Sequence, residues 1–533
     1  MRKRRVVLGR AQAGSAAAAI ALALSLAQCA VGPDYNPDPA PVPDKFKELK
    51  GWKVATPSDG LDRGDWWLPY RDQKLAFLLR QVEISNQTVA SAAAAYEEAR
   101  AVIRESQASL FPQLTGSYSF TRMRTGPNAN GTALGQRPST LGATYSTTYI
   151  PQASGTWDID VWGKVRRQIE SNTAGAQASS ADLDNAKLSA QAALATAYFN
   201  VRAADSLADV LRRTVAEYKR TLGIVENQYK AGYSVTNGDV ATARAQVENT
   251  EASLIAVGVT RAQNEHAIAV LIGRPPAELG IAPHLLPGGI PKIPITVPST
   301  LLERRPDIAA AERTMQEQNA LIGVAVAGYF PEISLTGMIE FIGRKPLPFN
   351  VAHEVWSYGA SATQTLFDGG LISAQVDAAR AAYWQSVANY RQTVLTAFEQ
   401  VEDNLAAIRL YEQQLVLERA AIKDARTAVN VYLNQFQAGT VAFTTVVTAE
   451  ITLLAYEVTE VNIRQNLFLA SVSLIEALGG GWDATLLPTQ SDLKKGFSLL
   501  PKLGSAPPPL IDPAPVETIG STMGPPPGPI NTQ

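Results

Sequence analysis

The residues with the chemistry for catalysis or metal binding are few in this chain, and their spacing suits neither role. It has three histidines: His266, His284 and His353. None of them lies in a metal-ligand spacing, and the single cysteine, Cys29, follows an export signal. Glu312 and Glu317 are a conceivable acid–base pair, but carboxylates are common on solvated helical faces. We therefore expect a protein that is not an enzyme and that binds no metal and no cofactor.

The N-terminus predicts export. Five Lys or Arg side chains precede the apolar run 16–27, which is too short to span a bilayer. Cys29 lies directly behind this run, where a lipoprotein signal places the cysteine that is acylated after cleavage. The alternative is a spare thiol in an ordinary cleaved signal. Without residues 1–28 the chain has 42 basic and 49 acidic side chains and a formal charge of −7, so a nucleic-acid partner is not expected.

An internal duplication organises the rest of the chain. The Ala-Gly pair at 231–232 recurs at 438–439, and Gly163 recurs as Gly370, both at an offset of 207 residues. A Phe-Pro string recurs at an offset of 219. The two copies are therefore expected to differ by about a dozen residues in the region before the long helices.

Apolar residues within each copy recur with the period of a coiled coil. The stripe in the second copy, which the first copy matches, is Val394, Val401, Ile408, Leu415, Ile422, Val429 and Phe436. The stripe after the Ala-Gly pair is Val447, Ile451, Leu454, Val458, Val461, Phe468, Val472 and Ile475. We predict antiparallel hairpins that turn at the Ala-Gly pairs, with long helices over about 71–108, 164–230, 236–273, 371–437 and 443–478.

Four segments alternate between apolar and polar residues, and each has about the length of a tilted transmembrane strand. They cover about 114–124, 143–155, 333–343 and 355–366. Because single-chain outer-membrane barrels begin at eight strands, four strands must be completed by other copies of the chain. The aromatic residues predicted to form interfacial girdles, with core packing as the alternative, are Tyr118, Phe120, Tyr145, Tyr149, Trp356 and Tyr358.

These patterns divide the chain into five parts. They are a signal peptide (1–28), a Pro-rich tether (29–60), a first repeat (61–290), a second repeat (291–485) and a Pro-rich tail expected to be disordered (486–533). The three glycines at 479–481 are interpreted as a helix stop, since no Lys-Ser/Thr ending of a phosphate loop follows them.

Several motifs carry a family resemblance. They are Leu-Leu-Glu-Arg-Arg-Pro-Asp-Ile at 301–308, Val-Gly-Pro-Asp-Tyr at 31–35, Asp-Trp-Trp at 65–67 and Leu-Phe-Asp-Gly-Gly at 366–370. Between about residues 29 and 482 the chain resembles the TolC-like outer-membrane factor family, in its NodT-type lipoprotein branch that serves resistance-nodulation-division efflux pumps.

The resemblance implies a mixed α and β fold and a homotrimer. Three internally duplicated chains would form a 12-stranded barrel among outer-membrane lipids and an α-helical tunnel in the periplasm. The implied function is an efflux channel for small molecules, with a periplasmic adaptor and an inner-membrane transporter as partners. A type I protein secretion channel and a structural coiled-coil lipoprotein are the alternatives.

The resemblance also implies a gate at the hairpin tips, closed until the adaptor docks. In the matching segments, three threonines stand where relatives often carry an aspartate, so we expect a gate rich in hydroxyl and apolar groups. The candidates are Gly232, Tyr233, Asp239, Gly439, Phe443, Thr444, Thr445 and Thr448. The alternative for Asp239 is that it only caps the returning helix.

A structural role is expected for the family motif, which consists of Arg304, Arg305, Pro306 and Asp307. Thr300 and Glu303 predict a capping box, and the Pro-Asp pair predicts the start of another helix. The two arginines are therefore expected to pair with carboxylates at a structural joint, with contact to cargo as the alternative.

Overall fold

The computed structural model describes residues 30–37, 39, 42–43, 45–48, 65–126, 144–233, 235–291, 293, 304–493 and 495. The predicted signal peptide, Cys29, the 300–303 capping box and most of the predicted tail lie outside this part of the chain. The helices are α1 (Gln73–Ser85), α2 (Gln87–Ala108), α3 (Lys164–Lys230), α4 (Asn237–Leu271), α5 (Pro306–Ala327), α6 (Leu371–Gln437), α7 (Phe443–Ala477) and the short α8 (Gln490–Leu493). The strands are β1 (Gln113–Thr125), β2 (Thr144–Ile159), β3 (Glu332–Phe341) and β4 (Glu354–Thr363).

The helices of the two copies have equal lengths. α3 and α6 each contain 67 residues, α4 and α7 contain 35, and α2 and α5 contain 22. α3 and α6 cover the predicted ranges, and at 1.5 Å per residue each is about 100 Å long. Gly163 and Gly370 precede them with φ of 82° and 93°. The same residue recurs at both positions because glycine adopts this left-handed conformation without a Cβ clash.

The single helix predicted over about 71–108 is wrong, because the chain breaks at Asn86. The Asn86 backbone is extended, with φ −69° and ψ 125°, and its side-chain oxygen accepts a hydrogen bond of 3.0 Å from the Val89 amide. Its side-chain amide donates to the Leu271 carbonyl at 2.7 Å. Asn86 therefore caps α2 and ties the break to the end of α4, a tertiary contact that no local pattern reveals.

The strands form one antiparallel sheet in the order β1-β2-β3-β4, with one strand at each open edge. β2 continues four residues beyond its predicted end, because Ile159 still pairs with Ile333 of β3. β4 ends three residues early, before the Asp-Gly-Gly turn that leads into α6. Among the described helices, none is long and apolar enough to cross a membrane.

Two apolar clusters hold the helices together. One is built mainly from α5, α6 and α7, and the other from α1, α3 and α4. Phe199 of α3 and Phe468 of α7, whose ring centroids are 4.7 Å apart, join the two repeats. Complete burial of a side chain of this size stabilises the fold by about 1.5–3 kcal/mol.

The predicted stripe on α6 is confirmed in the middle of the helix, where Val394, Val401 and Ile408 are fully buried. The stripe predicted for the first half of α7 is wrong by about one residue. The side chains buried there are Phe443, Val446, Glu450, Leu453 and Glu457. Because α7 packs against α3 as well as α6, its buried face is rotated away from the α6 seam. Of the predicted stripe in this half, Ile451 is 53% exposed, and Val447, Leu454 and Val458 are half-buried.

Candidate functional site

The two hairpins end in matching turns at the end of the molecule remote from the sheet. Gly232 has φ 76° and Gly439 has φ 73°. In the first turn the Tyr233 amide donates to the Gln228 carbonyl at 3.1 Å, and in the second the Thr440 amide donates to the Gln435 carbonyl at 2.9 Å. These six-to-one bonds satisfy carbonyls that a helix end leaves without partners. Both predicted glycines therefore act as helix stops and bring two tips together.

The tips are held by a small apolar cluster, which we call the tip cluster: Val225, Val240, Ala243, Phe436, Phe443 and Val446. The rings of Phe436 and Phe443 are 5.4 Å apart, and Phe443 is only 3% exposed. Phe443, a predicted gate residue, thus lies inside the contact between the hairpins. Its ring stabilises the tips and is not free to line a passage.

Asp239 caps the returning helix α4. Its carboxylate accepts hydrogen bonds of 2.8 Å from the amide and the hydroxyl of Thr236, while the Asp239 amide donates to the Thr236 hydroxyl. Asp239 therefore forms a reciprocal capping box with Thr236, and such a cap is worth about 1 kcal/mol. The neighbouring Tyr233 side chain is 69% exposed. Both side chains lie at the turn end of the first hairpin.

The three predicted threonines line one groove of about 500 Å³ on α6 and α7, which we call the threonine groove. Its lining is Ala425, Ala428, Tyr432, Thr444, Thr445, Thr448, Ala449 and Thr452. The Thr448 hydroxyl donates to the Thr444 carbonyl at 2.8 Å, and Thr452 donates to Thr448 in the same way. Each of these two hydroxyl protons has a backbone partner. The groove therefore presents uncharged side chains, most of them small, and hydroxyl oxygens.

A buried polar contact between the hairpins was missed by the sequence reasoning. The Thr221 hydroxyl of α3 donates to the Glu450 carboxylate of α7 at 2.8 Å, and Glu450 is 7% exposed. Burial raises the pKa of Glu450 to about 7, and the nearby charge of Glu217 adds to the shift. In the sequence, Glu450 lies one position before Ile451 of the predicted stripe. A glutamate at such a position is normally expected to face solvent, so nothing in the sequence predicted its burial.

The family motif lies at the other end of α7, far from the tips. The Arg305 guanidinium binds both carboxylate oxygens of Asp307, at 3.0 and 2.6 Å, and also donates to the Gln400 side chain and the Ala477 carbonyl. Arg305 is 8% exposed. It therefore joins the start of α5 to α6 and to the end of α7, the role expected of it, whereas Arg304 forms no ion pair within the described residues.

The sheet separates apolar from polar side chains. Residues opposite one another in the register share a face, and one row consists of Leu114, Gly155, Gly337 and Tyr358. The six predicted girdle aromatics all fall on this apolar face, and the rings of Phe120 and Tyr149 stack 5.5 Å apart. The opposite face is rich in Ser, Thr and Gln, with Thr115 and Ser154 hydroxyls 2.8 Å apart. The aromatics therefore form a surface, and the core-packing alternative is wrong.

Comparison with known proteins gives a consistent result. A family model described as outer membrane efflux protein matches residues 78–274 and 297–480. The chain is 26% identical over 460 residues to "Probable efflux pump outer membrane protein TtgC" of Pseudomonas putida, covering 85% of this chain and 93% of that protein. It is 27% identical over 458 residues to "Probable outer membrane lipoprotein SilC" of Salmonella typhimurium, covering 85% and 95%. The solved structure of the outer-membrane channel OprN matches with a TM-score of 0.76 at 29% identity, covering 85% of this chain and all of that one.

Proposed function

The chain belongs to the outer membrane efflux protein family, and on that premise we propose that three copies of it form one conduit for small molecules. It is an outer-membrane channel subunit of an efflux system, so its role is transport and not catalysis. The observation that carries the proposed conduit is the sheet. It has one apolar and one polar face, two open edges, and helices about 100 Å long attached to one end.

The proposed trimer follows from the open sheet edges and the exposed apolar side chains of a single chain. One chain supplies four strands, fewer than the eight of the smallest single-chain outer-membrane barrels. Three chains supply twelve, with the polar face turned towards water inside and the apolar face towards lipid. The neighbouring copies would also cover the apolar side chains that α6 and α7 expose, such as Val416, Leu417 and Ile451.

The turn end of the hairpins is the proposed gate and docking end. It lies at the far end of helices that begin at the sheet, so in the assembled conduit it points into the periplasm. A periplasmic adaptor would bind there and connect the conduit to an inner-membrane transporter. The gate would be formed by Tyr233, Asp239 and the threonine groove of three copies, with the buried Phe443 supporting it from inside each tip.

We also propose that Cys29 is acylated. The next residue, Ala30, lies at the junction of sheet and helices, since a Cβ added to Gly163 would be 2.8 Å from the Ala30 Cα. The Val31 amide donates to the Trp162 carbonyl at 3.0 Å, and Arg167 binds Asp34 at 2.7 Å. These contacts place the chain after Cys29 beside the base of the membrane-facing sheet, where an acyl chain can enter lipid. Mass spectrometry of the purified protein, with Cys29→Ser as the control, tests the modification.

The conduit is tested by a matched pair of variants in β4. Ala360 lies on the apolar face and Ser361 on the polar face, one residue apart. An arginine facing lipid costs about 2–4 kcal/mol near the bilayer midplane, whereas an arginine in the lumen alters conductance. We expect A360R to lose trimer yield and S361R to form trimers whose pores in planar bilayers have changed conductance. A water-soluble monomer without pores, or equal behaviour of the two variants, would contradict the proposal.

A further inference from the structure

The end of the sheet remote from the helices, which we call the outer end, has an unusual charge. The chain carries three arginines and no acidic residue between residues 106 and 157, and Arg344 and Lys345 with no acidic residue between 341 and 353. The chain without its signal peptide has a formal charge of −7. At the outer end four described cations, Arg122, Arg124, Arg344 and Lys345, outnumber the two carboxylates Glu340 and Glu354, in a protein that is acidic as a whole.

The β3–β4 loop folds over the apolar face at this end. Gly343 continues the register of β3, since its amide and carbonyl pair with those of Tyr149 at 3.1 and 2.8 Å. The Tyr118 hydroxyl, on the apolar face of β1, donates to the Pro346 carbonyl at 2.7 Å. The segment between these two anchors contains Arg344 and Lys345. Both are exposed, and the contact of Pro346 with Tyr118 holds the segment that carries them beside the apolar face.

Two further cations lie on the apolar face. Arg122 pairs in register with Thr147 and Arg124 with Tyr145, so both side chains leave β1 on the side of Tyr118 and Phe120. The Arg122 guanidinium is 5.9 Å from the centre of the Tyr145 ring. Both arginines are exposed, and no ion pair within the described residues uses any of the four cations.

The same loop also exposes apolar side chains. Leu347, Phe349 and Val351 are all largely exposed, and the Phe349 ring lies 5.3 Å from that of Phe341. Cations next to exposed apolar groups match an amphiphile that carries anionic groups above its acyl chains. Because arginine binds phosphate oxygens with two parallel hydrogen bonds, phosphate is the anion that best fits this set.

We propose that Arg122, Arg124, Arg344 and Lys345 bind the phosphate groups of a phosphorylated glycolipid in the outer leaflet of the outer membrane. The loop apolar residues contact its acyl chains. The proposal rests on the orientation in the proposed function, which turns the apolar face to lipid and the outer end to the exterior. The source of the phosphate is the glycolipid, since the apolar groups beside the cations have no role with a free anion.

The test measures binding of purified lipid A, a diphosphorylated glycolipid, to the detergent-solubilised full chain by native mass spectrometry. The variant carries R122Q, R124Q, R344Q and K345Q. The matched control is R212Q with R213Q, two exposed arginines on α3 remote from the sheet. We expect the four-site variant to bind lipid A at least about tenfold more weakly and the control to bind as the parent does. We also expect the parent to prefer lipid A over its dephosphorylated form.

Equal binding by parent and four-site variant overturns the proposal, and so does equal binding of lipid A and its dephosphorylated form by the parent. If the parent protein binds phosphatidylglycerol and lipid A with equal affinity in the same detergent, the assignment to a glycolipid is overturned. Trimer migration of the four-site variant shows whether it still folds. Pore formation is measured separately, so a failure of the conduit and a failure of the lipid site give different results.

Discussion

Replacing Glu450 with glutamine should tighten the contact between the two hairpins at about pH 8 and have little effect at about pH 4.5. The Glu450 carboxylate is buried between α7 and α3 and accepts one hydrogen bond from Thr221. Burial raises its pKa from 4.5 to about 7, and Glu217 opposes ionisation further. The other carboxylate buried nearby on α7, Glu457, is already paired with Arg426 of α6.

The sign follows from the direction of the shift. A carboxyl group whose pKa is raised by packing stabilises the packed state while it is protonated. That stabilisation is complete below about pH 4.5 and is lost as the pH rises through about 7. The difference corresponds to about 3 kcal/mol at pH 8, on the order of 100-fold in the equilibrium for separating the hairpins. Glutamine is neutral at every pH and can still accept the bond from Thr221, so it retains the stabilisation.

Hydrogen–deuterium exchange is the suitable assay, because it reports opening of the segments 215–225 and 446–455 without requiring a pore. Parent and variant are compared in the same buffer, so the intrinsic exchange rate cancels. At about pH 8 we expect slower exchange of both segments in E450Q, by up to about 100-fold. The control is E248Q, which removes an exposed carboxylate from α4. Identical exchange of E450Q and the parent at pH 8, or an equal effect of E450Q at both pH values, would refute the reasoning.

Three further predictions concern the tips and the joint. Asp239→Ala and Thr445→Ala should each raise single-channel conductance in planar bilayers by loosening the proposed gate, and unchanged conductance in both rejects their role. Gly479→Ala should abolish the trimer band on gels, because the added Cβ would collide with the Arg304 carbonyl oxygen. In the control Gly439→Ala the added Cβ meets nothing within 4 Å, so the substitution should cost only about 1–2 kcal/mol for the positive φ. Equal trimer yields of the two variants would contradict this prediction. Arg305→Ala should lower denaturant stability by about 2–3 kcal/mol, since it removes a buried guanidinium that pairs with the half-buried Asp307 and donates to Gln400 and Ala477. A loss below about 1 kcal/mol would show that the joint is held by other contacts.

Much of the architecture was predictable because duplication and period are properties of the sequence. The lengths of α3 and α6 followed from a stripe of period seven and a glycine at each end. The four strands followed from alternation, with errors of up to four residues where pairing partners decide the ends. The break at Asn86 could not be predicted, because its side chain is held by the end of a helix 185 residues further along the chain.

The sequence by itself therefore determined the internal repeat, the long helices, the strands of membrane-spanning length and the family resemblance, since each depends on local periodicity or on motifs. Only the tertiary structure decided which side of each element is buried. It placed Phe443 inside the tip cluster, left Ile451 of the predicted α7 stripe exposed and buried Glu450 against Thr221. It also brought four cations from two separate segments to one end of the sheet. The physical reason is that burial depends on neighbours distant in the chain, and a helix with two packing partners buries a face that no single period identifies.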